Sequence, residues 1–212
     1  VGMYGFFNGP EVNRVLFSFN RMNHLLGYTR NENEISKIAK ASLSIGLDDK
    51  KLIARKKMPN HYISIAVGGE WPYRTFNQWD LVIERLLIEN NMLNIVLVGS
   101  ENGNDIAQSL VEKFLDANII NCVGKFSFNQ TTEIINKSQI LLCCDGGLMH
   151  AANSVSTPIV PLFARLSEQM QLTDSICSFS LFDELDVNNI PFEDICDMYL
   201  EAYNCIEMSS IS

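Results

Sequence analysis

The feature that most constrains this chain is a rhythm. Between Tyr62 and Phe163 short apolar runs alternate with segments of helical period. The runs occupy residues 62–67, 94–98, 119–123, 140–144 and 159–163, and they recur about every 25 residues. Gly68, Gly99 and Gly124 close the first three, and Asp145-Gly146-Gly147 follows the fourth. Residues 76–89 repeat apolar positions at Trp79, Leu81, Val82, Leu86 and Leu87, and residues 105–115 carry Ile106, Leu110, Val111 and Phe114 on one stripe. Ser127-Phe128-Asn129-Gln130 has the capping-box spacing that opens a helix through Ile134 and Ile135. Residues 148–155 read as a short helix. Strands joined through helices need right-handed crossovers, so the pattern predicts an α/β fold with a parallel sheet covered on both faces. Central strands buried on both sides read as unbroken apolar runs, as these do.

Outside this stretch the rhythm weakens. Residues 192–206 predict a closing helix. Residues 31–45 read as one amphipathic segment on Ile35, Ile38, Ala39 and Leu43, and the first thirty residues show no clear period. Sixty residues are too few for a second complete α/β domain.

A hydrophobic share of 47% with 19% charged residues fits a globular core. The net charge of −9 argues against a nucleic-acid partner, which needs a basic face, but leaves room for an anion held locally. The six cysteines contain no C-x-x-C pair. They are read as reduced thiols with no structural zinc, in the cytoplasm. No apolar run approaches the roughly 18 residues of a membrane span. The chain opens on Val1 rather than Met, consistent with a fragment boundary.

In an open parallel sheet, ligands bind beyond the carboxyl ends of the strands. Four such ends carry suggestive residues: Gly68-Gly69 with Arg74 beyond, Gly99-Ser100-Glu101, Gly124-Lys125, and Asp145-Gly146-Gly147 with His150. Gly146 and Gly147 would let backbone N–H groups meet a phosphate, or form a plain tight turn. His150 would hydrogen-bond a phosphate or a sugar hydroxyl. Asp145 would accept sugar hydroxyls or cap the helix that follows. Arg74 offers a permanent charge for a diphosphate. Ser100 and Glu101 would take a ribose hydroxyl, and Lys125 is a weaker cation candidate. Trp71 and Trp79 read as packing residues rather than a base platform. The chain has no G-x-G-x-x-G after its first good strand, no Walker-type loop and no G-x-S-x-G elbow.

Taken in order, these residues resemble the family 9 glycosyltransferases, which include the ADP-heptose–lipopolysaccharide heptosyltransferases. The resemblance runs through Ile65-Ala66-Val67-Gly68-Gly69, Arg74-Thr75-Phe76, Val96-Leu97-Val98-Gly99 and Gly124-Lys125-Phe126-Ser127-Phe128. It continues through the D-[ST]-G-x-x-H-x-A signature at Asp145–Ala152 and T-P-x-V at Thr157-Pro158-Ile159-Val160. Three sites depart from the pattern. Gly146 replaces a Ser/Thr, Ala164-Arg165-Leu166 replaces G-P-T, and Gly103 stands where an acid is common, with Glu101 and Asp105 on either side.

The resemblance implies a Rossmann-like parallel sheet with helices on both faces, the C-terminal domain of a GT-B glycosyltransferase. Residues 61–212 would be the nucleotide-sugar donor domain, and residues 1–60 a remnant of the N-terminal acceptor domain and linker. It implies inverting, metal-independent transfer, without cofactor, of a sugar such as heptose from an ADP-sugar to the lipopolysaccharide core. Asp145, His150 and Arg74 would be the catalytic set. Gly68, Gly69, Arg74, Ser100, Glu101, Lys125, Gly146 and Gly147 would bind the donor. The acceptor would be a lipid-linked oligosaccharide, putting the protein at the cytoplasmic face of the inner membrane. The alternatives are a truncated nucleotide-sugar-binding module without transfer activity and, more distantly, an unrelated α/β sugar-phosphate enzyme.

Overall fold

The structure, a computed structural model, describes residues 13–39, 41–173 and 177–210. Three helices come first: α1 (Arg14–Leu25), α2 (Glu32–Ile38) and α3 (Leu47–Ala54). Then strands and helices alternate: β1 (Ile63–Ala66), α4 (Trp79–Glu89), β2 (Ile95–Val98), α5 (Asn104–Lys113), β3 (Ile119–Asn121), α6 (Phe128–Asn136), β4 (Leu141–Cys144), α7 (Gly147–Val155) and β5 (Ile159–Ala164). The short α8 (Glu168–Gln171), the strand β6 (Leu181–Asp183) and the long α9 (Phe192–Ser210) complete the chain.

The six strands form one sheet in the order β3-β2-β1-β4-β5-β6, and every pairing is parallel. This is the fold class read from the sequence. Successive strand residues point to opposite faces. Ile63, Ile65, Ile95, Leu97, Leu142 and Val160 pack with Val82, Ile83 and Leu86 of α4 and with Ile195 and Tyr199 of α9. On the other face Val96, Val98, Leu141, Cys143 and Phe163 pack with Ile53 of α3, Ile134 and Ile135 of α6 and Met149 of α7. Both faces are dry, so β2 is buried at all four residues. Each such aliphatic side chain contributes about 1.5–3 kcal/mol by leaving water. Trp79 sits 1% exposed against Phe76, its ring edge-on at 5.0 Å, which makes it a packing residue.

Three expectations need correction. The amphipathic segment read over residues 31–45 is not one helix: α2 starts on an Asn31–Glu34 capping box and ends at Ile38. The Ala39 carbonyl there accepts the Thr173 hydroxyl at 3.1 Å, so a tertiary contact stops what the local period would continue. The first thirty residues contain α1, whose cap Asn13 accepts from the Leu16 amide and donates through its side chain to the Gln169 and Leu172 carbonyls. The rest of that reading falls on residues 1–12, outside the described residues. Beyond β5, the edge strand β6 was not expected; at three residues it is too short to display a strand period. Among the described residues no helix is long and apolar enough to cross a membrane.

Candidate active site

The chain leaves β1 in one direction across the sheet and returns on its other side at β4, so β1 and β4 flank the point where strand order reverses. Loops diverge there, and a crevice opens beyond the strand ends. It holds a cavity of about 590 Å³, within the range of small-molecule sites. Gly68, Gly69 and Arg74 after β1, Gly99 and Ser100 after β2, and Asp145, Gly146, Gly147 and His150 after β4 all line it.

Arg74 ends a single turn of tight helix, Pro72–Arg74, that starts on a proline. Its Nη1 lies 3.1 Å from Asp145 Oδ2, and the Asp145 side chain is only 3% exposed. Gln171 Nε2 reaches the same oxygen at 3.5 Å. A buried carboxylate needs such partners, and in return it fixes the direction of the guanidinium. The Arg74 Nε–H is buried without a hydrogen-bond partner among the described residues. Beside Arg74, the Tyr73 ring is covered by Arg165, whose guanidinium carbon stands 3.7 Å from the ring centroid. Arg165 adopts a left-handed φ of 65°, and its Nε donates to the Leu185 carbonyl at 3.2 Å. The residue that replaces part of the family's G-P-T thus braces the turn carrying Arg74.

Asp145 does not cap the following helix. The cap residue of α7 is Gly146, which has no side chain to offer. The first amides of α7 therefore have no side-chain acceptor, and they sit at the positive end of the helix beside the cavity. A Cβ at Gly147 would meet only Phe128 Cε2, at 3.9 Å, so the fold itself does not require glycine there.

The glycines near β1 and β2 differ. A Cβ on Gly103 would stand 2.6 Å from the Val67 carbonyl oxygen, and one on Gly68 (φ 82°) would stand 2.7 Å from Gly103 Cα. These two backbones touch, which explains why a glycine occupies position 103 where an acid is common in the family pattern. Ser100 Oγ donates to Asn102 Oδ1 at 2.8 Å, and Asn102 Nδ2 donates to the Gly69 carbonyl at 2.9 Å. The side chains of Ser100 and Asn102 thus tie the two loops together at the cavity wall.

Two sequence candidates are not brought to the cavity. Lys125 Nζ donates to the Asn121 carbonyl at 2.7 Å, and neither Lys125 nor Glu101 lines the space. Trp71, read from the sequence as a packing residue, is instead half exposed, and it also lies off the lining. His150 is open to solvent on one side, yet crowding by the protein lowers its pKa from the ordinary 6.5, opposed by the Asp145 carboxylate. Burial pushes the neighbouring Cys144 thiol up to about 12, so it is a protonated, unreactive wall at neutral pH.

The structure also adds residues that sequence reasoning missed. Arg14, Phe126, Phe128, Thr131 and Gln171 line the cavity. Phe126 and Phe128 flank the Ser127 cap, a position where aromatics next to a strand end are a signal. Arg14 and Gln171 lie outside residues 62–163, where the alternation of apolar runs and helices is read.

The sequence matches the model of glycosyltransferase family 9 (heptosyltransferase) over residues 10–175. No curated protein matches the chain. Among solved structures, a family 9 glycosyl transferase from Veillonella parvula is similar, with a TM-score of 0.65 at 15% identity, covering 76% of this chain and 53% of that one. E. coli ADP-heptose lps heptosyltransferase II superposes with a TM-score of 0.63 at 17% identity, over 81% and 54% of the two chains. E. coli heptosyltransferase WaaC, solved with ADP, gives 0.60 at 13% identity over 88% and 54%. At these identities the likeness establishes the fold. The chain spans about half the length of these structures.

Proposed function

We propose, from the premise that this chain belongs to glycosyltransferase family 9, that it forms the donor side of an enzyme that moves a sugar, heptose, from an ADP-sugar to the lipopolysaccharide core. One observation carries the reading. The bare N-terminus of α7 and the Arg74 guanidinium, aimed by buried Asp145, line the same cavity.

When the bond between the anomeric carbon and the diphosphate breaks, negative charge grows on the leaving oxygens. The amides of Gly147 and Leu148 and the Arg74 guanidinium are fixed before the reaction and meet that charge without reorganising. Donors of this kind are worth about 10²–10³ each in rate. His150, one turn into α7, adds a hydrogen bond to phosphate or sugar. Asp145 acts through Arg74 and is a positioning residue. Ser100 and Asn102 stand at the wall suited to the ribose. Charge on the diphosphate is met by these cationic and main-chain donors, which supports a reaction that needs no metal. The acceptor hydroxyl attacks the face opposite the leaving group and inverts the centre, while ADP departs with the bonding pair and the hydroxyl proton passes to a base on the acceptor side or to water. On this reading residues 61–212 hold the donor, and residues 1–60 are the end of an acceptor domain and linker. The acceptor is a lipid-linked oligosaccharide, and the enzyme works at the cytoplasmic face of the inner membrane.

A second reading is a nucleotide-sugar-binding module without transfer, favoured by Gly146, which lacks the hydroxyl that the family pattern places after the aspartate. Calorimetric titration with ADP, ADP-heptose and UDP tests the site: heat is expected with both adenine ligands. Absence of heat with ADP and ADP-heptose sinks the proposal. Transfer of heptose to a lipid acceptor by this span alone removes the second reading.

A further inference from the structure

The region around α3 concentrates positive charge in an acidic chain. Lys50, Lys51, Arg55, Lys56 and Lys57 are five of the 16 Lys and Arg residues, whereas residues 47–57 hold only two of the 25 carboxylates, Asp48 and Asp49. All five cations are exposed. Among the described residues, none of Lys50, Lys51, Arg55 and Lys57 forms an ion pair. Of the two carboxylates, Asp49 is engaged by Gln130 Nε2 at 2.9 Å.

Apolar side chains share this surface. Ile53 is the inward anchor, buried with Tyr62 and Ile134, while Leu47 and Leu52 point out at 73% and 38% exposure. A cluster of exposed cations of this density is the composition of a surface that lies on anionic lipid headgroups, and the outward Leu47 and Leu52 add apolar contact at its edge. An extended polyanion fits less well, because it would meet no use for the leucines. The patch also adjoins the donor cavity: Lys56 Nζ stands 5.6 Å over the ring of Phe126, and Phe126 lines the cavity.

We propose that the outer face of α3 and the turn after it, residues 47–57, is a docking surface for a bilayer rich in anionic phospholipid, seating the rim of the donor cavity at the membrane. This deepens the proposed function, since a lipid-borne acceptor must be met at such a surface, but it is read out separately.

The experiment is co-sedimentation of the chain with vesicles of phosphatidylglycerol and phosphatidylethanolamine, against vesicles of phosphatidylcholine alone. Binding is expected to the anionic vesicles and to weaken as salt rises from about 0.1 M to about 0.5 M. The K50E/K51E/R55E/K57E variant should lose about tenfold or more of that binding while its ADP affinity stays unchanged. If the glutamates prevent folding, the four glutamine substitutions carry the same test. Leu47→Ser with Leu52→Ser should weaken binding about threefold without altering its salt dependence. Equal binding to phosphatidylcholine, no loss on charge reversal, or binding to duplex DNA as tight as to vesicles would each overturn the proposal. A chain that binds vesicles but not ADP keeps this surface and loses the donor site; the reverse result does the opposite.

Discussion

Helices α6 and α7 leave the carboxyl edge of the sheet after β3 and β4, pack against each other, and border the same cavity. Their N-termini are built in opposite ways. At α6 the Ser127 hydroxyl accepts from the Gln130 amide and the Gln130 side chain accepts from the Ser127 amide, so the helix end is closed by its own residues. At α7 the cap is Gly146, no side chain among the described residues caps the end, and Arg74 stands across the loop on Asp145. Identical backbone physics thus serves folding in one helix and leaves donors for a ligand in the other. The difference predicts that mutations at the two ends will separate stability from binding.

The largest effect is expected at Arg74. Arg74→Ala removes the charge proposed to meet the diphosphate and should weaken ADP binding about 100-fold, the scale of a charge-assisted contact in a partly enclosed site. It also strands a buried carboxylate, so stability should fall by about 2–3 kcal/mol in urea unfolding. Adding Asp145→Asn removes that stranded charge and should return most of the stability without returning ADP affinity. Recovery of both together would mean that Arg74 matters only as a partner of Asp145.

Next come the two helix ends themselves. Gly147→Val should fold, since a Cβ there meets nothing closer than 3.9 Å. Its branched side chain would stand over the α7 amides and lower ADP affinity about tenfold, roughly 1.4 kcal/mol by calorimetry. Ser127→Ala should do the reverse: a loss of about 1 kcal/mol in stability, the usual cost of a cap, with ADP affinity unchanged. If Ser127→Ala weakens ADP and Gly147→Val does not, the contrast between the helices is wrong.

That contrast was half legible in the sequence. The capping box of α6 can be read directly from Ser127 and Gln130, because it is local. The glycines after Asp145 mark an open helix end for the same reason. What the sequence does not display is pairing across distance. Arg74 and Asp145 are 71 positions apart and meet only because β1 and β4 are neighbours in the sheet. Once the strand order is known, their meeting follows. Lys125 illustrates the opposite case: it sits at a strand end, but its ammonium folds back onto the Asn121 carbonyl. Arg14 was invisible because α1 is brought to the cavity by Asn13 bonding to carbonyls more than 150 residues away, a pairing that no local pattern displays.

The smallest effect concerns His150, the only titrating group on the first turn of α7. Crowding holds its pKa below the ordinary 6.5, with Asp145 opposing. The unfolded chain therefore takes up this proton more readily than the folded one. The contribution of neutral His150 to stability is complete above about pH 6.5 and is lost as the pH falls through that value and on through the lower folded one. A bound diphosphate acts in the other direction, because it favours the imidazolium. Melting temperatures from about pH 8 to about pH 5 should fall toward acid more steeply in the wild type than in His150→Asn when ADP is absent. Saturating ADP should shrink the wild-type slope toward that of the variant, and comparison with the variant cancels the titration of ADP itself. Equal slopes for the two proteins with and without ADP would put His150 outside the field of the phosphates, and the ligand contacts at α7 would then end with its first amides.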